Sequence, residues 1–265
     1  MTFRWKLTIE YDGTPFSGWQ RQENAISVQQ CLEEAVFKFC GETVNAHVAG
    51  RTDAGVHAVG QVAHIDIEKD SDEKTVRDAI NFHLRPHAIA VVEAEKVNRD
   101  FHARFGAIHR VYCYKIIMAR RADCVLHGNL AWHVGWELDV SAMTKAAKHL
   151  HGHHDFTSFR ASECQAKTPM RTMKRLEITE NKNQIGFGRH IEIWAEAQSF
   201  LHHQIRNIAG TLKLVGEGKW QPDQVKEVLE AKDRTKAGPM APPHGLYFVR
   251  VDYAGAFTKG LDALL

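Results

Sequence analysis

The segment FRWKLTIEY, residues 3–11, decides the fold class of this 265-residue chain. Its odd positions, from Phe3 to Tyr11, are apolar, and its even positions are charged or polar. Alternation with a period of two is typical of a β-strand that is buried on one face. The sequence therefore predicts that the chain begins with a half-buried strand of the mature fold rather than with a signal peptide.

The residues that follow, up to about residue 105, predict a regular succession of elements. Ser27, with Gln30 three residues later, has the capping-box pattern and opens a helix that Gly41 ends. The other predicted elements are a strand at 43–49, a strand at 59–67, a helix at 71–84 and a strand at 88–97. The order strand, helix, strand, strand, helix, strand is that of a ferredoxin-like split βαβ unit with an antiparallel sheet.

The second half of the chain repeats these ingredients more loosely. Strands are predicted at 110–118, 172–180, 185–198 and 245–253, and helices at 141–151, 203–216 and 222–231, the last with Pro222 in its first turn. Residues 119–140 receive no assignment. Because no low-complexity linker separates the halves, we predict an α+β fold of two ferredoxin-like halves, 1–105 and 106–265. They would share one continuous antiparallel sheet, with helices on one side and a central cleft for a large ligand.

The overall composition indicates a soluble globular enzyme of a reducing compartment. Apolar residues make up 44% of the chain and charged residues 25%, which is ordinary for a globular domain. No apolar run approaches the roughly 18 residues of a membrane span. The five cysteines are odd in number and form no CxxC pair. Structural disulfides are therefore not expected, and the predicted location is the cytoplasm.

Two basic tracts stand out against the net charge of +2. Residues 101–122 contain no acidic residue, and residues 160–175 contain five basic residues and one acidic residue. Such tracts are typical of a surface that binds an anionic partner such as RNA. Two solvated faces would give the same pattern, and charge alone does not choose between them.

The segment GRTDAGVHA, residues 50–58, lies between two predicted strands, where a loop holds reactive groups on a rigid scaffold. Gly50 and Gly55 flank Asp53 and permit tight turns and close approach of a ligand. Arg51 and His57 are cationic neighbours that can hold the Asp53 carboxylate ionised. A hairpin turn, with aspartate and glycine serving only backbone geometry, explains the same residues, and composition alone favours it.

The same segment closely resembles the catalytic loop of the TruA-type tRNA pseudouridine synthases, the tRNA pseudouridine synthase A family. Further segments resemble that family in the same order, so that the resemblance runs from about residue 5 to about residue 253. They are EYDG (10–13), GWQRQ (18–22), FHARF (101–105), RVYCY (110–114), DFTSFR (155–160), FLHHQIRNI (200–208), AKDR (231–234) and GLY (245–247). The chain departs from the family at Gln204, where many relatives have methionine, and at residues 84–89.

The resemblance implies roles for individual residues. Asp53 would be the catalytic nucleophile or base, Tyr112 would stack under the target base, Arg206 would pair with the Asp53 carboxylate, and Arg51 would help to hold the base out of the helix. Further RNA contacts would come from His57, Arg110 and Arg160. The implied substrate is uridine at positions 38, 39 and 40 of the tRNA anticodon stem-loop. The implied assembly is a cytoplasmic homodimer with the tRNA spanning both subunits, and the central cleft would bind the RNA.

Pseudouridine formation suits these residue types and needs no cofactor. The N1–C1′ bond of uridine breaks, the uracil turns, and C5 bonds to C1′, without net redox change. A carboxylate can add to C6, add to C1′ or remove a C2′ proton, and these alternatives stay open. Flipping the base out of the helix costs roughly a few kcal/mol, and stacking the base on an aromatic ring offsets about 1–3 kcal/mol of this. Tyr112 is otherwise an ordinary strand neighbour of Val111 and Tyr114.

Other functions fit the sequence less well. Neither a phosphate-binding P-loop nor HExxH is present, and a zinc base deaminase would need a Pro-Cys-x-x-Cys element that is absent. The histidines of residues 151–154 and the pair His202-His203 are not expected to bind metal, because the defined ligand spacings of metal sites are absent. His202 and His203 would in addition point about 100° apart on a helix. The remaining alternative is a tRNA-binding module or RNA chaperone without catalysis. Such a protein would not require Asp53, Tyr112 and Arg206, so the presence of all three residues separates the enzyme from this alternative.

Overall fold

The computed structural model describes residues 1–118, 122, 125–181 and 188–255, and these form two compact units. The first unit contains residues 1–110 together with 248–255. The second contains the described part of 111–247. Sequence reasoning divided the chain once, after residue 105, and kept its last strand with the second half.

The first unit is built mainly from strands that pair antiparallel. Its elements are β1 (Phe3–Tyr11), α1 (Val28–Cys40), β2 (His47–Val48), β3 (His57–Ile67), α2 (Glu73–Leu84), β4 (Ile89–Val97), the start of β5 (Ala107–Met118) and the end of β10 (Leu246–Tyr253). The hydrogen-bonded order is β4-β1-β3-β10, and β2 pairs with β3. In the register of β1 on β3, Trp5 faces Ile65 and Leu7 faces Ala63.

Strand β1 is buried on both faces, so its prediction as half-buried was wrong. Lys6, on the face expected to meet solvent, is only 5% exposed, and Thr8 is buried as well. The Lys6 ammonium lies 2.7 Å from a Glu95 carboxylate oxygen on β4. A buried charge is tolerated when an opposite charge compensates it, and the alternation of residue types cannot show that partner.

Helix α1 begins and ends where its capping residues predict, whereas α2 begins at Glu73, two residues after the predicted start at residue 71. The Ser27 hydroxyl accepts a hydrogen bond from the Gln30 amide at 3.3 Å, and Gly41 ends α1 with φ +78°. The strand expected at 43–49 is reduced to β2. The segment before β2 is bonded to α1 instead of to a strand: the Ala46 amide donates to the Glu33 carboxylate at 3.1 Å.

The second unit contains the remaining elements. They are the rest of β5 and β10, with β6 (Trp132–His133), α3 (Val140–Lys148), β7 (Gly152–Asp155), β8 (Met170–Asn181), β9 (Arg189–Ala197), α4 (Gln204–Gly216) and α5 (Gln224–Ala231). Strand order is β5-β9-β8-β7, with β6 parallel to β5. The short strands β6 and β7 were not predicted. Pro222 precedes the N-cap Asp223 and therefore lies outside α5. Residues 185–187 of the predicted strand 185–198 lie outside the described residues.

The chain is thus a mixed α+β protein with mostly antiparallel strand pairing, as predicted, and its described part contains five α-helices. Within that part, every helix is too short or too polar to cross a bilayer.

Candidate active site

The loop that carries Asp53 connects β2 to β3 in the first unit. Asp53 is half-buried, Arg51 is exposed, and Thr52 between them is buried. The Val56 amide donates to the Asp53 main-chain carbonyl at 3.1 Å, which closes a turn over residues 53–56. Asp53 is therefore the first residue of a closed turn whose tip is Ala54-Gly55, and its side chain is partly open to solvent.

Residues 13–19 hold this loop on both sides of Asp53. The Trp19 amide donates to the Thr52 carbonyl at 3.1 Å, and the Gly55 amide donates to the Phe16 carbonyl at 3.3 Å. These bonds involve the residue before Asp53 and the second residue after it. Their backbone positions are consequently fixed by a neighbouring segment rather than by the loop alone.

Two glycines of that segment permit its close approach to the loop. A Cβ at Gly13 would lie 2.1 Å from the Val56 carbonyl oxygen, and one at Gly18 would lie 2.6 Å from the Thr52 carbonyl oxygen. Gly18 also has φ +98°, a conformation that side chains other than glycine rarely adopt. Neither position can carry a side chain without moving the Asp53 loop.

Buried side chains of β1 and β3 hold the start of the loop. The Tyr11 hydroxyl lies 2.7 Å from the Thr52 hydroxyl, and the Gln61 amide donates to the Gly50 carbonyl at 2.8 Å. The same Gln61 nitrogen lies 3.4 Å from the Tyr11 hydroxyl. Burial raises the pKa of Tyr11 to about 12, so its hydroxyl keeps its proton at neutral pH.

Arg110 and His57, both predicted as RNA contacts, are buried and bonded within the first unit. The Arg110 guanidinium donates to the Ala49 carbonyl from Nε at 3.1 Å and from Nη2 at 2.8 Å. His57 is 1% exposed, and its Nδ1 accepts the Gly13 amide at 3.0 Å. These contacts hold both ends of the loop, and a direct RNA contact by either side chain stays a prediction.

Asp12 lies beside His57 and extends this arrangement. Its carboxylate oxygen is 3.1 Å from His57 Nδ1. Burial alone would raise the pKa of Asp12. Hydrogen bonds from the Thr14 hydroxyl and amide, and the interaction with His57, have a larger opposite effect, so the pKa of Asp12 is lowered. Asp12 is therefore ionised at neutral pH and places a negative charge beside the His57 ring.

Tyr112, Arg206 and Arg160 lie in the second unit. Tyr112 is a buried residue of β5, and its ring meets the Phe200 ring edge-on with centroids 5.0 Å apart. Arg206, in the first turn of α4, donates from Nε to the Ala241 carbonyl at 2.9 Å. Arg160 is half-buried and donates to the Cys164 carbonyl at 3.3 Å.

His202 and His203 precede α4, so the helical geometry assumed for them was wrong. His203 is the N-cap residue with φ +61°, and the two rings lie 3.8 Å apart. Gln204, the departure from the family, is buried and accepts the Leu201 amide at 2.8 Å. Its amide oxygen therefore ties the chain entering α4 to the helix.

The basic tracts are described only in part. Arg120 and Arg121 lie outside the described residues. In the tract 160–175, Lys174 pairs with Glu196 at 2.9 Å and Arg175 with Glu177 at 2.8 Å. Acidic residues from outside the tract thus offset part of its charge, and its role as an RNA-binding surface stays a prediction.

Sequence reasoning missed the loop-holding roles of Tyr11, Gln61, Gly13 and Gly18. Tyr11 and Gln61 occupy ordinary strand positions, where periodicity identifies only burial. The segments EYDG and GWQRQ, noted for their family resemblance, were the one available signal for the two glycines.

Comparison with known proteins identifies the family to which the sequence is similar. Residues 7–106 and 146–254 match the family model described as tRNA pseudouridine synthase. Similar proteins include the tRNA pseudouridine synthase A of Paramagnetospirillum magneticum, which is 56% identical over 97% of this chain and 97% of its own length. Those of Rhodospirillum centenum and Sinorhizobium fredii are 52% and 53% identical, each over 94% of this chain and 99% of their own length.

Proposed function

The chain belongs to the tRNA pseudouridine synthase family, and we propose that it acts on uridines 38, 39 and 40 of the anticodon stem-loop through the carboxylate of Asp53. Isomerisation of uridine to pseudouridine in tRNA follows from membership of the family.

The observation that carries the role of Asp53 is the fixed backbone on either side of it. Amide and carbonyl groups of Thr52 and Gly55 are bonded to residues 16–19, while the Asp53 side chain itself is half-buried. A reacting group held in one geometry avoids the entropic cost of being positioned during the reaction. A loop that served only to connect two strands would not require this many fixed contacts.

In the proposed reaction, the target uridine leaves the helix before any bond is broken. Arg51, exposed beside Asp53, would occupy the space that the base vacates, and Tyr112 would stack against the extruded uracil. Asp53 then adds to C6 or C1′, or removes the C2′ proton, while the N1–C1′ bond breaks. The C5–C1′ bond then forms, and Asp53 leaves the carbon it had added to or returns the C2′ proton. Loss of the C5 proton to solvent and protonation of N1 complete the isomerisation, with Arg206 as the cation paired with Asp53.

We further propose the assembly that the sequence implied. The antiparallel order β4-β1-β3, with β2 on β3, supports a split βαβ arrangement for the N-terminal half. The chain would consist of two such halves, 1–105 and 106–265, that share one continuous sheet with helices on one side and a central RNA-binding cleft. The enzyme would be a cytoplasmic homodimer that needs neither metal nor organic cofactor.

The test is to incubate the protein with an unmodified tRNA transcript and to map pseudouridine by chemical modification and primer extension. Pseudouridine is expected at positions 38–40 that carry uridine, and at none of them in a matched transcript with cytidine there. Modification elsewhere in the tRNA would refute the positions. Tight binding without any pseudouridine would instead indicate a non-catalytic RNA-binding protein.

A further inference from the structure

A tight turn in the first unit presents an aromatic ring to solvent. It consists of residues 102–106, between β4 and β5, and is closed by a 2.9 Å hydrogen bond from the Gly106 amide to the His102 carbonyl. Phe105, at its tip, is 78% exposed, and Arg104 beside it is exposed as well. Leaving a phenylalanine ring in water forgoes the free energy of burying it, which makes its position here informative.

The turn is held rigidly from several sides. The Ala103 amide donates to His64 Nδ1 at 3.2 Å, and the Ala103 carbonyl accepts the Tyr253 hydroxyl at 2.8 Å. The Arg104 carbonyl accepts from the Arg110 guanidinium at 2.8 Å. Phe105 is therefore presented on a fixed backbone, not on a loop whose tip happens to swing into solvent.

A pair of histidine rings supports Phe105. The His102 ring lies 4.5 Å from the Phe105 ring, and His102 Nδ1 accepts the amides of Arg104 and Phe105 at 3.1 and 3.3 Å. Behind His102, the His64 ring lies 4.7 Å away. The histidines orient the Phe105 ring without covering it.

The charge around the turn favours an anionic partner. The Arg104 guanidinium lies 5.7 Å from the centre of the Phe105 ring. Residues 101–118 contain no aspartate or glutamate. An exposed aromatic face beside a cation is the combination that binds single-stranded nucleic acid, with the ring stacking on a base and the cation meeting a phosphate.

We propose that Phe105 and Arg104 form a stacking platform for an unpaired base of the tRNA substrate, separate from the Asp53 loop. This inference rests on the proposed function for the identity of the RNA. The ring would stack on the base, and Arg104 would contact the adjoining phosphate. Because stacking is tolerant of base identity, the platform would contribute affinity across many tRNAs and no preference among them.

The experiment measures the dissociation constant for an unmodified tRNA, together with single-turnover pseudouridine formation at saturating enzyme. Phe105→Ala is expected to weaken binding about ten-fold, whereas Phe105→Tyr, which keeps a stacking ring, should bind like the wild type. Phe82→Ala is the matched control, since Phe82 is 68% exposed on α2 of the same unit and should leave affinity unchanged. Arg104→Gln should lower the slope of log affinity against log salt by about one.

The following outcomes would support or overturn a stacking role for Phe105. Wild-type affinity in Phe105→Ala overturns the platform, and so does equal weakening by Phe82→Ala. If Phe105→Ala changes the mass of the free protein in sedimentation but leaves its affinity for tRNA unchanged, the platform is also overturned. The ring would then contact a second copy of the protein rather than RNA. If the alanine variant does not fold, Phe105→Leu, which is apolar without a ring, answers the same question. Weaker tRNA binding by Phe105→Ala, when the wild-type protein makes no pseudouridine, would support the platform and refute the proposed function.

Discussion

The hydroxyl groups of Tyr11 and Thr52 lie 2.7 Å apart in the buried interior of the first unit. Tyr11 is the last residue of β1, and Thr52 directly precedes Asp53. This contact joins the sheet to the candidate catalytic loop through side chains, in addition to the backbone bonds from residues 13–19. Its removal should therefore affect the position of Asp53 without removing any group that meets the RNA.

We expect Tyr11→Phe to slow single-turnover pseudouridine formation about ten-fold at saturating enzyme, with the tRNA dissociation constant unchanged. The ring is kept, but the loop loses one tether, and small displacements of a reacting group are costly. The Thr52 hydroxyl, left unpaired in a buried place, should also reduce the free energy of unfolding by about 1–3 kcal/mol.

The double variant Tyr11→Phe with Thr52→Val separates these two effects. Removing both hydroxyls leaves neither of them unpaired, so stability should partly recover, although Gln61 still loses its weak 3.4 Å contact with Tyr11. The rate should stay low, because the tether is still absent. Recovery of the rate together with stability would show that the contact serves folding alone.

We expect Gly18→Ala to slow the chemical step strongly, by about 10²-fold, and Gly41→Ala to leave it unchanged. Both glycines have positive φ, at +98° and +78°, so both variants lose stability from backbone strain. Only at Gly18 does the new Cβ meet the loop, 2.6 Å from the Thr52 carbonyl, while at Gly41 nothing lies within 4 Å. Equal rates in the two variants, measured well below both melting temperatures, would contradict a positioning role for residues 13–19.

Asp53→Asn should abolish pseudouridine formation while tRNA binding stays within a few-fold of the wild type. The amide is nearly the same shape, but it is neither an anionic nucleophile nor a base. The control is Asp78→Asn, a surface aspartate on α2 that pairs with Lys74 at 3.1 Å and should have no effect on turnover. Normal turnover by the Asp53→Asn variant would remove the catalytic assignment.

Tyr112→Phe should keep tRNA affinity but slow the chemical step by about 10²-fold or more, the scale of general acid–base help. Tyr112→Leu should in addition weaken productive docking, since the stacking ring is lost. Tyr114→Phe is a matched control on the same strand. Its hydroxyl donates to the Pro242 carbonyl at 2.8 Å, so its loss should lower stability and leave the rate unchanged.

For Tyr112, single-turnover kinetics separate docking from chemistry. A wild-type rate in Tyr112→Phe would eliminate a role for the hydroxyl and leave stacking in place. A wild-type rate in Tyr112→Leu as well would make Tyr112 a structural strand residue, in keeping with its contact with Phe200.

The stability of the first unit should fall in acid because of His64. Burial lowers the pKa of His64 from 6.5 to about 4, and nearby positive charge on Arg4, His102 and His47 acts in the same direction. The opposing effect of Asp66 is smaller. Between these values the unfolded chain binds a proton at His64 that the folded chain does not. Stability from this group is therefore complete above pH 6.5 and is lost as the pH falls toward 4, by about 2 kcal/mol once solvent screening is allowed for.

The measurement is the free energy of unfolding by urea at several pH values, for the wild type and for His64→Gln. The glutamine cannot be protonated, so its curve should be flatter between pH 6.5 and 4. Because the other histidines are common to both proteins, the difference between the curves reports the titration of His64 together with its coupling to His102 and His47. Parallel curves would contradict the lowered pKa.

Local sequence determined the elements of the first unit well. The alternation in residues 3–11 predicted β1, and Ser27 and Gly41 predicted both ends of α1, because periodicity and capping depend on residues within a few positions of each other. The segment around Asp53 was likewise identified from its own residues and its resemblance to a family. These features are determined by sequence alone because their physical causes are local.

What holds the Asp53 loop was decided by the tertiary structure. Thr52 meets Tyr11 from 41 positions away, and the Ala49 carbonyl meets Arg110 from 61 positions away. Burial of Lys6 likewise depends on Glu95, which β4 brings beside β1. No local pattern marks such pairs, since the free energy of each hydrogen bond depends on a partner that only the folded chain brings within about 3 Å. The sequence by itself thus determined which carboxylate to examine, and the packing of β1, β3 and β5 determined that it is held in one place.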